Sequence, residues 1–195
     1  MIDNLEACRV IEQNRNDAIV VTTMGAGNPR FGWPVVSRNE AMDVPVGGAM
    51  GKASSFALGL ALAQPDRSVL ILDGDGSLVM NLGTLTTISE RAPANLYHFV
   101  FDNGCYAVTG GQPIPADGKV SFREMASGAG YAAAYEFDNL EDLASGIADI
   151  LRKQGPILVN LKITPEIENT PIGQRSRPKR STYAAVQELR QSLST

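Results

Sequence analysis

Cysteine is scarce in this chain: Cys8 and Cys105 are the two among 195 residues. That excludes an iron–sulfur cluster held by the chain alone, since such clusters need about four thiolates. Two cysteines so far apart also fit reduced thiols better than a disulfide framework, and a cytoplasmic location is expected. No apolar run approaches the ~18 residues of a membrane-spanning helix. The first residues, Met1-Ile-Asp-Asn-Leu-Glu6, lack the basic-then-apolar layout of a secretory signal. Positive charge is not in excess, and a net charge of −4 argues against general nucleic-acid binding. Internal repeats and low-complexity stretches are absent. The sole histidine, His98, lies inside an apolar run and reads as a core residue with one hydrogen bond rather than a catalytic acid.

What remains is an ordinary globular composition, 44% apolar and 19% charged, in a chain long enough for one large core. Residues 3–15 carry Leu5, Cys8, Val10 and Ile11 between charges, an amphipathic helical pattern. Ile19–Thr23 is a β-branched strand, followed by a loop over Met24–Pro29. Phe31 and Trp33 either line an entrance or pack. Asp43–Val46 reads as a short strand, and Ala53–Gln64 as a helix whose small residues allow close packing on a sheet. Further helices are expected over Asn81–Arg91, Phe122–Gly130 and Leu140–Lys153, the last capped by Asn139. Further strands are expected over Ala132–Phe137 and Pro156–Ile163, with a turn-rich loop at Gly110–Pro115. Alternating strands and helices predict a three-layer α/β fold, a doubly wound and mostly parallel sheet. It should occupy residues 1–164, with an arm and a short helix over 165–195. The arm carries Arg175, Arg177, Lys179 and Arg180, either as a solvated or subunit-contacting segment or with one cation reaching an anionic substrate group.

The chemistry concentrates in one stretch. Ser68-Val-Leu-Ile-Leu-Asp73 has the length of a buried parallel strand and ends in Gly74-Asp75-Gly76-Ser77. A second apolar run, Leu96–Phe101, ends in Asp102-Asn103-Gly104-Cys105-Tyr106. Strand, Gly-rich turn, helix and strand make a βαβ unit, which binds ligands at the carboxyl ends of its strands. Asp75 and Asn103 offer hard oxygen donors there. With a backbone carbonyl nearby they suit a Mg²⁺ ion that also holds phosphate oxygens.

Gly-Asp-Gly, a spacer and an Asn at a strand end resemble the thiamine diphosphate (ThDP) enzymes. The resemblance implies Asp75, the Asn103 side chain and the Cys105 carbonyl as metal ligands. It implies Gly74, Gly76 and Ser77 near the diphosphate, with Tyr106 and Thr109 in the adjoining loop. Gly47-Gly48-Ala49-Met50-Gly51 is similar to the stretch that lines the bend of the cofactor in the decarboxylases of this family. Met50 would wedge under the thiazolium and the Gly48 carbonyl would accept from the 4′-amino group; otherwise Met50 is a core residue. Within the family, Gly48–Gly51, Gly74–Gly83 and Asp102–Pro113 look most like the sulfopyruvate decarboxylase β subunit and the matching half of phosphonopyruvate decarboxylase. Thr22–Gly25 falls where those proteins have a loop facing the active site. The family often has Asn where this chain has Asp102.

The resemblance also implies something missing. A ThDP decarboxylase needs a Glu beside the pyrimidine N1′, supplied by a pyrimidine-binding domain, and no glutamate here stands in that context. The chain is therefore expected to be the diphosphate-binding half of a ThDP- and Mg²⁺-dependent lyase. A separate α subunit would carry the Glu in a hetero-oligomer, and the substrate would be a short 2-oxo acid. Other readings are an acetolactate synthase-like carboligase, a 2-oxo acid oxidoreductase subunit, or a non-catalytic ThDP-binding module.

Overall fold

A computed structural model describes residues 1–48, 50–171, 174 and 180–194. Six parallel strands form the central sheet in the order β2-β1-β3-β4-β8-β7. Their ranges are β1 Ile19–Thr22, β2 Asp43–Pro45, β3 Val69–Gly74, β4 Leu96–Asp102, β7 Ala133–Phe137 and β8 Ile157–Lys162. The middle strands are apolar on both faces because helices cover both. Along β4, Leu96 and Val100 enter one core, whereas Tyr97, Phe99 and Phe101 enter the other. That alternation is the two-residue period of a strand buried on both sides.

The first core lies under α3 (Ala53–Ala63), α5 (Thr84–Arg91), α6 (Phe122–Ala129) and α8 (Thr182–Leu193). In α3 the residues facing the sheet are Ala53, Ala57 and Ala61, all buried. Their small side chains let the helix lie close to β3. The second core lies under α1 (Asn4–Asn14), α2 (Trp33–Val36) and α7 (Leu140–Ile150). The N-caps follow their chemistry: Asp3, Ser121, Asn139 and Ser181 each accept a main-chain N–H from the first turn of α1, α6, α7 and α8. Among the described residues no helix is long and apolar enough to cross a membrane.

The structure moves three boundaries. The helix expected over Asn81–Arg91 begins at Thr84 as α5, and a separate short helix, α4 (Asp75–Val79), precedes it, so the Gly-Asp-Gly turn is itself the start of a helix. Between them Asn81 Nδ2 donates to the Gly51 carbonyl at 2.9 Å. Helix α7 ends at Ile150, three residues before the expected Lys153. The Tyr97 hydroxyl, 2.9 Å from the carbonyls of Leu151 and Lys153, occupies acceptors just past its end. The loop at Gly110–Pro115 contains part of a small hairpin, β5 (Cys105–Tyr106) against β6 (Gln112–Pro113).

Strand order reverses at β1: the chain steps from β1 outward to β2, then returns to β3 and moves the other way to β4. Crevices at such reversals, at the carboxyl ends of the strands, are where ligands bind in open α/β sheets. Register adds a detail. Gly74 pairs with Phe101, so Asp75 and Asp102 leave the sheet at the same level.

Candidate cofactor and metal site

Asp75 is the centre of this end of the sheet. It is 2% exposed, and its carboxylate organises the chain around it. Oδ1 accepts the Gly76 N–H at 2.7 Å. Oδ2 accepts the N–H groups of Asn103 at 3.0 Å and Gly104 at 2.7 Å. Three N–H donors favour the anion, but burial disfavours it more. Desolvation pushes the carboxyl up to about 6 against the donors' pull, and the nearby Asp102 carboxylate adds to the rise. Among the described residues no cationic side chain pairs with Asp75.

Asn103 turns back on its own loop, its Oδ1 accepting the Cys105 N–H at 3.0 Å. Opposite Cys105 in the hairpin stands Pro113. It has no N–H and so makes no claim on the Cys105 carbonyl. Burial, together with the Asp75 and Asp117 carboxylates, holds the Cys105 thiol above its ordinary value. That disfavours the thiolate, and the carbonyl oxygen is the hard donor of this residue.

A buried carboxylate with no cationic partner among the described residues, a side-chain amide oxygen and a loop carbonyl are hard donors with lone pairs to spare. Among the described residues no group of three His, Cys, Asp or Glu side chains has metal-binding geometry. A divalent ion here would have to complete its shell with ligand oxygens. That donor set fits Mg²⁺ held jointly with phosphates.

Around Asp75 runs a cleft of about 60 Å³. It gathers Met50, Gly74, Gly76, Ser77, Asn103, Cys105 and Tyr106, the expected site residues, together with Thr23, Met24 and Gly25 of the loop after β1. The Gly76 position has a packing reason of its own: a Cβ there would lie 2.6 Å from the Tyr106 ring. The glycine admits the tyrosine as well as any ligand. Its N–H is engaged with Asp75. The Ser77 hydroxyl accepts the Gly51 N–H at 3.1 Å, which ties α4 to the glycine-rich segment beside Met50.

Gly48 is the one expected residue the structure does not bring into this cleft; it is exposed, and Ala49, between it and Met50, lies outside the described residues. Thr109 lines the cleft and donates to the Tyr106 carbonyl at 3.2 Å. Asp102 turns instead toward the sheet. Its Oδ2 accepts from Asn160 Nδ2 at 3.0 Å and Lys162 Nζ at 2.6 Å, and Asn160 also donates to Glu136 at 2.9 Å.

Other readings resolve clearly. His98 is fully buried, with Nδ1 3.3 Å from the Tyr131 hydroxyl and Nε2 3.4 Å from Asp73 Oδ2. It is a core residue of β4, beside β3 in the sheet. Trp33 is buried under the Arg15 guanidinium, 5.2 Å from the ring centre, and so packs. Of the four arm cations, Arg180 is held by Glu188 of α8 and the Asp43 carbonyl. Arg175, Arg177 and Lys179 lie outside the described residues.

A second cavity, about 270 Å³, opens next to the cleft and shares Thr23, Met24 and Val108 with it. Arg30 and Glu168 line it, and neither was singled out by the sequence. The signal for them is tertiary: Glu168 follows the last strand, yet its N–H donates to the Ala107 carbonyl at 2.9 Å, beside the cleft.

Residues 25–161 match the family model of the C-terminal TPP-binding domain of thiamine pyrophosphate enzymes. The chain is 38% identical over 157 residues to a phosphonopyruvate decarboxylase of Streptomyces viridochromogenes, which covers 80% of this chain and 38% of that protein. It is 33% identical over 176 residues to the sulfopyruvate decarboxylase subunit beta of Methanothermobacter thermautotrophicus, covering 88% of each. Among solved structures, the thiamine diphosphate-dependent 4-hydroxybenzoylformate decarboxylase of Rhodococcus jostii RHA1 has the same fold over 87% of this chain and 33% of that one. Its TM-score is 0.68 at 17% identity.

Proposed function

The chain belongs to the thiamine pyrophosphate enzymes, carrying their C-terminal TPP-binding domain, and from that premise we propose that it is the diphosphate-binding subunit of a Mg²⁺-dependent 2-oxo acid decarboxylase. The observation that carries the reading is the Asp75 carboxylate, buried with no cationic partner among the described residues and flanked by Asn103 and Cys105 at the strand-order reversal. In this proposal Asp75, the Asn103 side chain and the Cys105 carbonyl hold Mg²⁺. Gly74, Gly76 and Ser77 border the diphosphate, Tyr106 walls the cleft, and Met50 supports the bend of the cofactor with the Gly48 carbonyl beside it.

Bound thiamine diphosphate supplies the electron sink that accepts the pair left behind when CO₂ departs. This chain's own contribution is to hold and orient. The three N–H donors fix the Asp75 carboxylate before any ligand arrives, so little ordering remains to be done on binding. Met50, Tyr106 and Val108 give the cleft an apolar lining that keeps water from the reacting centre.

A partner subunit is part of the proposal. Glutamate is absent from the described residues that line the Asp75 cleft. The cleft and the neighbouring cavity, about 60 and 270 Å³, are each smaller than the roughly 300–1,000 Å³ of a typical ligand site. The relatives of matching length are named as beta subunits. We place residues 1–164 as the cofactor-binding unit, 165–195 as an arm and helix beside it, and the complex in the cytoplasm, where the free Cys8 and Cys105 would stay reduced. The substrate proposed is a short 2-oxo acid with a second anion, such as 3-sulfopyruvate or 3-phosphonopyruvate.

The test is product analysis on the complex purified through this chain. With ThDP, Mg²⁺ and either acid, the proposal requires CO₂ and the corresponding aldehyde in equal amounts. Acyloin in place of aldehyde would make the protein a carboligase. Cofactor binding without product would make it a non-catalytic module.

A further inference from the structure

We propose that Arg30 is the receptor for the second anion of the substrate, its guanidinium binding the sulfonate or phosphonate group in the cavity beside the Asp75 cleft. The inference rests on the decarboxylase reading above and assigns the residue that would set its substrate class.

A short 2-oxo acid carries its second anion on the carbon next to the keto group. The receptor must therefore adjoin the cofactor cleft and cannot sit across the domain. The 270 Å³ cavity meets that condition through the lining residues it shares with the cleft, Thr23, Met24 and Val108. Among the described residues that line this cavity, Arg30 is the one cation. Its planar fork of N–H donors matches a tetrahedral oxyanion better than any other side chain would.

The loop that presents Arg30 is built rather than slack. Gly27 N–H donates to the Thr23 carbonyl at 2.7 Å, Trp33 N–H to Ala26 at 2.6 Å and Gly32 N–H to Asn28 at 2.9 Å. Asn28 Oδ1 accepts the N–H of Arg30 itself at 2.9 Å. At position 32 a Cβ would fall 2.3 Å from the Ala26 carbonyl oxygen, so the compact turn requires glycine there. The backbone of Arg30 is thus fixed by the loop, leaving the side chain to adapt.

The guanidinium has a partner that a substrate anion could replace. Arg30 Nη1 lies 3.5 Å from Glu168 Oε2, and the arginine side chain is 64% exposed. At 3.5 Å the contact is long for a charge-assisted hydrogen bond, and its arginine end faces solvent although the Glu168 side chain is 12% exposed. Glu168 is anchored independently, through its N–H on Ala107 and through Oε1, which accepts the Thr170 N–H at 2.8 Å. Exchanging Glu168 for a sulfonate would therefore release the arginine without unfolding the segment that carries the glutamate.

The experiment uses the complex purified through this chain, with wild type, Arg30→Met and Arg30→Lys. Calorimetry measures binding of 3-sulfopropionate, which has both anions and no keto group, and separately of ThDP. Steady-state assays give KM for 3-sulfopyruvate. Arg30→Met should weaken 3-sulfopropionate and raise KM by about tenfold or more, the loss of a charge-assisted hydrogen bond. ThDP affinity should be retained, and Arg30→Lys should recover part of the loss. Unchanged 3-sulfopropionate binding in Arg30→Met, with the wild type still active, overturns this assignment alone. Parallel loss of ThDP binding also overturns it, making Arg30 a structural residue. A wild-type complex that decarboxylates neither 3-sulfopyruvate nor 3-phosphonopyruvate overturns the decarboxylase reading and this assignment with it.

Discussion

Asp75 Oδ2 accepts the main-chain N–H of Gly104 at 2.7 Å, so the residue after one central strand closes the loop after the next. The same oxygen takes the Asn103 N–H. The loop that carries the other two candidate metal ligands, Asn103 and Cys105, is thereby anchored on one carboxylate. Asp75 has two tasks in this account: it organises the loop, and it offers a charge to a cation.

Those tasks separate in mutants. Asp75→Asn removes the charge and keeps one accepting oxygen of the two, enough for the Asn103 and Gly104 N–H groups if its NH2 turns toward Gly76; Asp75→Ala removes charge and acceptors alike. In the purified complex each should lose Mg²⁺-dependent ThDP binding, a fall on the order of a hundredfold or more. Asp75→Asn should retain the wild-type circular dichroism spectrum. Unchanged affinity by calorimetry in either variant would remove Asp75 from the metal site.

The pH dependence of the metal-free chain has a defined sign. The Asp75 carboxyl sits at about 6 in the fold, above its ordinary 3.8. Between those values the folded chain keeps a proton that the unfolded chain has lost. The stability from this group is therefore full below about 4 and is lost as pH rises through about 6, on the order of 3 kcal/mol in all. Asp75→Asn does not titrate. Urea midpoints of wild type should fall relative to this variant as pH rises from about 4 to about 6.5, and Mg²⁺ with ThDP should offset the fall. Parallel midpoint curves would contradict the burial argument.

Gly76 and Tyr106 should be coupled. A Cβ at 76 meets the Tyr106 ring at 2.6 Å, so Gly76→Ala must displace the ring or the helix start. The expected cost is about 1–3 kcal/mol. With Tyr106→Ala in the background the extra methyl has room, and most of the cost should disappear from the double-mutant cycle. Additive effects in urea denaturation would show that the contact does not govern this turn.

The layout of the sheet was legible in the sequence because the strands are buried on both faces and read as short apolar runs. Leu96–Phe101 and Pro156–Ile163 fell within a residue or so of β4 and β8. Asp75 and Asn103 were legible for another reason: a βαβ unit fixes which residues leave the carboxyl ends of neighbouring strands. The start of α4 at Asp75 was not, since glycines on either side mark a turn as readily as a helix entrance. Nor was the role of Gly76, whose reason for lacking a side chain is Tyr106, a residue far along the chain. Arg30 and Glu168 meet only after the loop following β1 and the segment following β8 come together, and no local pattern announces that. Charge counting pointed to the arm instead, where Arg180 proves to be tied to α8 and β2.

In the proposed complex this chain holds half of an active site, its metal and diphosphate groups, and depends on a second chain for the acid–base group. That division is tested most directly by assaying CO₂ release from 3-sulfopyruvate and 3-phosphonopyruvate with ThDP and Mg²⁺, first with this chain alone and then as the partner subunit is titrated in. Negligible turnover is expected from the chain alone, with activity that saturates at a fixed ratio of the two chains. Turnover at ordinary enzymatic rates by this chain alone would contradict the division.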